Sequence, residues 1–276
     1  MAAHHGRVRV AFVATAAISI AMTAGCGGAA ARQAAVPAPG KVLDMTYPFD
    51  SETIYWPNAS GFRLEKGNWG RAAGGYWYAS NGYSAGEHGG THLDAPIHFA
   101  EKGLTVDRIA VTDLIGPAVK VDVTAECRKD RNYLLQVSDM ERWERAYGSI
   151  PRGAWVIMYS GIGTQYYPDR RQVLGTDVTG EAAIPLLSFP GFSPRAAEWL
   201  VKERQISGVA IDTPSIDYGR STDFRVHQIL YGAGKFGVEN IANLEVLPDA
   251  GATLYVLPML IKDGTGAPAR VFAVLP

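Results

Sequence analysis

Cysteine, histidine, excess charge and long apolar runs are all scarce in this chain. Its 276 residues include two cysteines, six histidines, 26 basic and 27 acidic residues. A formal charge of −1 gives no electrostatic footprint for DNA, RNA or acidic lipid. A composition that is 47% hydrophobic and 19% charged excludes a wholly disordered or collagen-like chain. The apolar run Val10–Met22 is short for a bilayer crossing. Glycine is plentiful by contrast, 31 residues, and with 16 prolines it points to many turns around the core.

Arg7 and Arg9 precede that apolar run, and Thr23-Ala24-Gly25-Cys26 closes it. The arrangement reads as an export signal over residues 1–25. The small residues before Cys26 are similar to a bacterial lipobox, so Cys26 is expected to carry lipid and become the mature N-terminus. The chain is then a cell-envelope lipoprotein whose only membrane attachment is that anchor; the alternative is a plain secreted or periplasmic protein. With Cys26 lipidated, Cys127 has no partner for an intrachain disulfide and is expected to be buried or inert. Residues 26–40, rich in Gly, Ala and Pro, read as a tether. Residues 41–276 read as one domain, long enough to bury a substantial core.

Within that domain, β-branched apolar runs predict strands at Ala118–Val123, Ala154–Tyr159, Gly208–Ile211, Thr253–Leu257 and Ala269–Leu275. Ser138 and Glu141 have capping-box spacing for a helix reaching Tyr147. Ser193-Pro194 caps another over Arg195–Arg204, which feeds the strand at Gly208 in an α/β step. The aromatic and glycine-rich stretch Phe49–Asn81 suits a loop or irregular strands near a pocket wall.

Two histidines, His4 and His5, fall in the export segment; three of the other four lie in His88-Gly89-Gly90-Thr91-His92-Leu93-Asp94-Ala95-Pro96-Ile97-His98-Phe99. Imidazole and carboxylate together suit Zn²⁺, Mn²⁺ or Fe²⁺. A helix is excluded by Gly89, Gly90 and Pro96, and Gly89 stands where a zincin needs glutamate. In extended chain, residues 92 and 94 share one face, roughly 6–7 Å apart, and the Gly89-Gly90 pair lets His88 approach the same point.

The His88–Phe99 segment resembles the signature of the cyclase-like metal hydrolases, a family that includes bacterial kynurenine formamidase and isatin hydrolase. Further stretches resemble the same family: Tyr159–Thr164, Gly208–Asp217, His227–Leu230 and Val238–Leu244. The resemblance implies an α/β fold, a swivelling β/β/α domain, assembled as a homodimer or larger. It implies His88, His92 and Asp94 as metal ligands. His98 is implied either as a ligand of a second ion or beside the nucleophilic water, and His227 and Glu239 line the same centre. The expected metal set is thus His88, His92, Asp94, His98 and Glu239, holding one or two divalent ions, Mn²⁺ or Zn²⁺. The expected catalytic groups are His98, His227 and Glu239.

The implied chemistry is hydrolysis of an amide in a small aromatic N-formyl amine or a cyclic amide. An ion acidifies water and polarises the carbonyl, while His98 or Glu239 takes the water's second proton or protonates the departing nitrogen, and His227 steadies the developing oxyanion or steers the proton transfer. The aromatics Trp56, Tyr76, Trp77 and Tyr78 are candidates to stack on such a substrate, and Arg220 and Arg225 to receive a carboxylate. A second reading is an exported lipoprotein that binds metal or a small aromatic ligand without turnover. A third is a lactonase or polyketide-cyclase-like activity on the same metal chemistry.

Overall fold

The computed structural model describes residues 41–276; the export-signal and tether expectations lie outside the described residues. Among the described residues twelve strands are formed: β1 (Val42–Asp44), β2 (Arg63–Arg71), β3 (Trp77–Ser84), β4 (His92–Asp94), β5 (Ile115–Asp122), β6 (Leu134–Leu135), β7 (Trp155–Tyr159), β8 (Gly191–Phe192), β9 (Gly208–Ile211), β10 (Phe236–Glu239), β11 (Thr253–Pro258) and β12 (Gly266–Val274). Eight of them make one sheet in the order β1-β12-β11-β5-β7-β9-β10-β4, and β4 also pairs with β12. That last pairing closes the sheet on itself. The first residues of β12 pair with β4 (Ala267 opposite Leu93), and the later ones pair with β11 and β1 (Ala273 opposite Leu254 and Leu43). The expected α/β class is therefore realised around a closed β-sheet.

Strands β5, β7, β9 and β10 run parallel. Parallel strands are covered on both sides, so they read as unbroken apolar runs. In β7, Trp155 and Ile157 point into the barrel with Leu93, Val238 and Val271. Val156 and Met158 point outward, under Met140, Trp143, Ala196, Leu200 and Leu230 of the surrounding helices. The five strand expectations all fall on observed strands, with ends moved by a few residues.

The Ser193 cap is observed: its hydroxyl accepts from the Ala196 N–H at 3.1 Å, and a helix runs over Pro194–Trp199 before widening into a π turn at Leu200–Arg204. The other helix, Val137–Tyr147, starts earlier than expected. Its box uses Asp139, whose carboxylate accepts from the Gln136 N–H at 2.8 Å, not Ser138 with Glu141. Asp139 is buried and also accepts from the Tyr133 hydroxyl, which fixes the earlier start. The Phe49–Asn81 stretch expected as loop or irregular strands holds β2 and most of β3, a hairpin exposed along nearly its whole length.

Trp155 is fully buried at the centre of the barrel. Trp155→Ala is expected to destabilise the domain by about 3–5 kcal/mol, read from urea denaturation followed by far-UV circular dichroism.

Candidate metal centre

Strand β4 is three residues long, and its alternation sorts them by task. Leu93 points into the barrel core, while His92 and Asp94 share the opposite face. The β4–β10 register sets His92 directly opposite Glu239. Two glycines permit the chain to come this close. A Cβ on Gly89 would sit 2.1 Å from the Tyr55 ring, and one on Gly266 would meet His88 Cε1 at 2.5 Å.

Asp94 is the hub. Its Oδ1 is 2.6 Å from His88 Nδ1 and 3.2 Å from His92 Nε2. Its Oδ2 accepts from the Tyr231 hydroxyl at 2.7 Å and lies 3.5 Å from His227 Nε2. Burial resists its negative charge, but His88, His227 and His92 hold the carboxyl well below the usual range. His92 Nδ1 donates to the Gly90 carbonyl at 2.9 Å, which leaves buried Nε2 with no hydrogen-bond partner. On the far side of His88, Thr265 gives its own proton to Glu87 and so accepts from His88 Nε2 at 2.8 Å, turning Nδ1 to Asp94.

His227 comes from the Arg225–Gly232 helix, which sequence reasoning did not anticipate, although Val226, Leu230 and Tyr231 have the apolar spacing of one face. Asp217 holds its ring. The Asp217 carboxylate accepts from His227 Nδ1 at 2.7 Å and from the backbone N–H groups of Val226 and His227. His227 Nε2 is thereby directed at Asp94 and at Glu239 Oε1, 3.4 Å away. Glu239 Oε1 also accepts from the Ile216 N–H, and Oε2 lies 3.5 Å from His92 Nε2. His98, at the end of a short 3₁₀ turn, stacks on His88 with ring centroids 3.8 Å apart.

Two overlapping triads result: His88, His92 and Asp94; and Asp94, His98 and His227. In each, the ligand atoms lie within 4.8 Å of one another. Glu239 joins neither triad but borders both through His92 and His227. Nitrogen and carboxylate donors around a buried, unpartnered imidazole nitrogen fit a divalent ion.

The electrostatics agree. Burial opposes charge on His92, yet Asp94, Glu239 and the Gly90 carbonyl raise its pKa to about 9. Burial likewise opposes charge on His227, while Asp217, Asp94 and Glu239 raise it well above the ordinary value. Burial pushes His98 down to about 4, Asp94 opposing and the other histidines adding to the shift. Acids that hold extra protons on His92 and His227 also attract a divalent cation.

All six sequence-derived residues meet on one cavity of about 260 Å³. Ile54, Trp56, Phe99, Pro214 and Phe224 form its apolar wall, and Ser215 and Asn240 contribute polar groups. Of the four aromatics expected to stack on substrate, only Trp56 lines the cavity. Tyr76, Trp77 and Tyr78 are exposed on and beside the hairpin, because β2 and β3 pair only with each other. Arg220 and Arg225 are exposed and off the cavity wall; Arg225 reaches Gln228 instead. Cys127 is buried, as expected, and burial raises its thiol pKa. Asp217 and Tyr231 were missed as functional residues, since their service to His227 and Asp94 depends on where one helix docks.

The chain matches the family described as "Putative cyclase" over residues 43–218. It is 33% identical to the isatin hydrolase of Roseibium aggregatum over 211 residues, 73% of this chain and 77% of that one. It is 25% identical to a kynurenine formamidase of Bacillus thuringiensis over 229 residues, 83% and 94% of the two chains. The solved structure of isatin hydrolase A from Ralstonia solanacearum superposes with a TM-score of 0.76 at 30% identity, covering 85% of this chain and 92% of that one. An isatin hydrolase bound to the product analogue thioisatinate gives the same TM-score, covering 86% and 94%. This chain belongs to the cyclase-like metal-dependent hydrolase family, and its site has the arrangement of an amidohydrolase of that family.

Loading an ion into chelator-stripped protein must displace the protons that His92 and His227 hold at neutral pH. Affinity for the ion is expected to rise with pH up to about 9. Calorimetric titration at pH 7 in buffers of different ionisation enthalpy should show net proton release; none released would contradict these charge states.

Proposed function

We infer that this protein is a metal-dependent amidohydrolase that opens a small aromatic N-formyl amine or a cyclic amide, giving a carboxylate and an amine. The observation that carries the reading is the unpartnered Nε2 of buried His92, set among His88, Asp94 and Glu239 on a cavity wall. The similarity to isatin hydrolases supports a cyclic amide, and the similarity to kynurenine formamidases supports an N-formyl amine.

His88, His92 and Asp94 would hold one divalent ion, Mn²⁺ or Zn²⁺, with Glu239 at its border; a second ion at Asp94, His98 and His227 would occupy the same imidazole nitrogens and is the alternative to the proton roles that His98 and His227 otherwise take. Bound there, a divalent ion supplies a water acidified toward neutral pH and a polarised carbonyl. The remaining work belongs to the chain. His98, uncharged at neutral pH, and Glu239 accept the proton of the attacking water and return it to the departing nitrogen. His227, fixed by Asp217, donates from Nε2 toward the carbonyl oxygen as negative charge grows on it. Trp56 and Phe224, with ring centroids 5.8 Å apart, offer faces to an aryl group, and the small cavity suits a compact ligand.

The test uses metal-loaded protein, assayed on isatin and on N-formylkynurenine before and after chelation. Turnover of at least one substrate, lost on chelation and restored by Mn²⁺ or Zn²⁺, is expected. Turnover that survives removal of all metal would overturn the reading, and tight binding without turnover across both substrates would favour a binding protein. His92→Ala is expected to lose bound metal and to lower kcat/KM roughly 1000-fold, in line with the several kcal/mol an ion contributes. Elemental analysis of the same sample separates loss of the ion from misfolding.

A further inference from the structure

The β2–β3 hairpin has no part in the metal centre, yet it is built with care. Strand β3 alternates, so Trp77, Ala79, Asn81 and Tyr83 share one face. Opposite it, β2 sets Leu64 against Tyr83 and Lys66 against Asn81, then shifts register and sets Trp69 against Ala79. The extra residue in that bulge reverses the alternation of β2. Without it Trp69 would stand on the face away from Leu64. With it, Trp69 and Trp77 meet edge to face, ring centroids 6.4 Å apart, as a diagonal cross-strand pair. The Tyr83 hydroxyl donates to the Met259 sulfur at 3.0 Å, which joins this row to Met259 and Leu260 beyond β11. The outcome is one apolar strip of Leu64, Trp69, Trp77, Tyr83, Met259 and Leu260, each 49–73% exposed.

Among the described residues no other strand pairs with β2 or β3, and a two-stranded hairpin alone is marginal in water. Six half-exposed large side chains, at about 100 Å² each, leave on the order of 600 Å² of apolar surface in water. That is the upper end for a monomer and the share one partner brings to a stable interface. We propose that the hairpin is a dimerisation arm, laid by a two-fold axis across Met259 and Leu260 of a second copy of this chain. The two halves of the strip argue for that partner. Leu64, Trp69 and Trp77 lie on the arm and Met259 and Leu260 at its foot, so one rotation covers both halves at once. The hairpin also needs its cover whenever the chain is folded, and another copy is the surface always at hand. The proposal does not depend on the amidohydrolase reading.

The experiment is sedimentation velocity of the purified protein over about 1–50 μM, the range that brackets a micromolar Kd. The wild type is expected to sediment as a dimer. Trp69→Ser combined with Trp77→Ser is expected to weaken self-association by about 100-fold or more. Leu260→Asp, on the other half of the strip, is the second variant and is expected to do the same. Val246→Ser, equally exposed but outside the strip, is expected to leave the dimer intact. Far-UV circular dichroism of each variant should match the wild type, since the altered side chains are exposed. A monomeric wild type would overturn the proposal, and so would a dimer that survives both strip variants. If removal of residues 1–40 abolishes the dimer while the strip variants keep it, that segment makes the contact and the proposal falls. A monomer that floats with phosphatidylglycerol vesicles through Trp69 and Trp77 would assign the strip to a lipid surface instead.

Discussion

Three consecutive residues, His92, Leu93 and Asp94, carry both the fold and the site. Leu93 fills the barrel, and the backbone of β4 pairs with β10 on one side and β12 on the other, closing the sheet. The same pleat turns His92 and Asp94 together onto the cavity. Asp94 then gathers His88, His92, His227 and Tyr231 around one buried carboxylate. A one-residue slip of β4 would exchange the faces, bury the ligands in the barrel and expose Leu93. The position of the donors is therefore as firmly specified as the core.

The surrounding groups act mainly by fixing orientation. Thr265 with Glu87 turns His88, the Gly90 carbonyl turns His92, and Asp217 turns His227. Each imidazole spends one nitrogen on this outer contact and offers the other to the centre. Asp94, Asp217 and Glu239 lie among these imidazoles, and such a set of buried carboxylates attracts protons or a divalent cation. Burial at His98 works the other way and keeps one imidazole uncharged beside the charged ones. Adjacent groups in unlike charge states suit the transfer of a proton to and from a reacting amide.

Much of this centre is legible in the amino-acid sequence. Three histidines and an aspartate crowded into eleven residues are conspicuous in a chain with six histidines, and the alternation of 92 with 94 places two donors on one face. Strands β7 and β9 stand out because strands covered on both sides need continuous apolar residues. Other features depend on distant partners. Glu239 meets His92 only through strand pairing across almost 150 positions, and Asp217 and Tyr231 acquire roles only where the Arg225–Gly232 helix docks. The β2–β3 hairpin buries no apolar face, so its period-two signal is weak. That same exposure removes Tyr76, Trp77 and Tyr78 from the cavity wall within this chain. Ser138 and Glu141 match a capping box by spacing, yet the buried Asp139 takes the cap two residues earlier.

The proposed chemistry turns on where an ion sits. The most direct measurement is a crystal structure of the protein loaded with Zn²⁺ or Mn²⁺, with the ion located by its anomalous scattering. Density bonded to His88 Nδ1, His92 Nε2 and Asp94 Oδ1 at about 2.0–2.2 Å is the predicted result. An ion bound elsewhere, with His92 Nε2 still unpartnered, would contradict it.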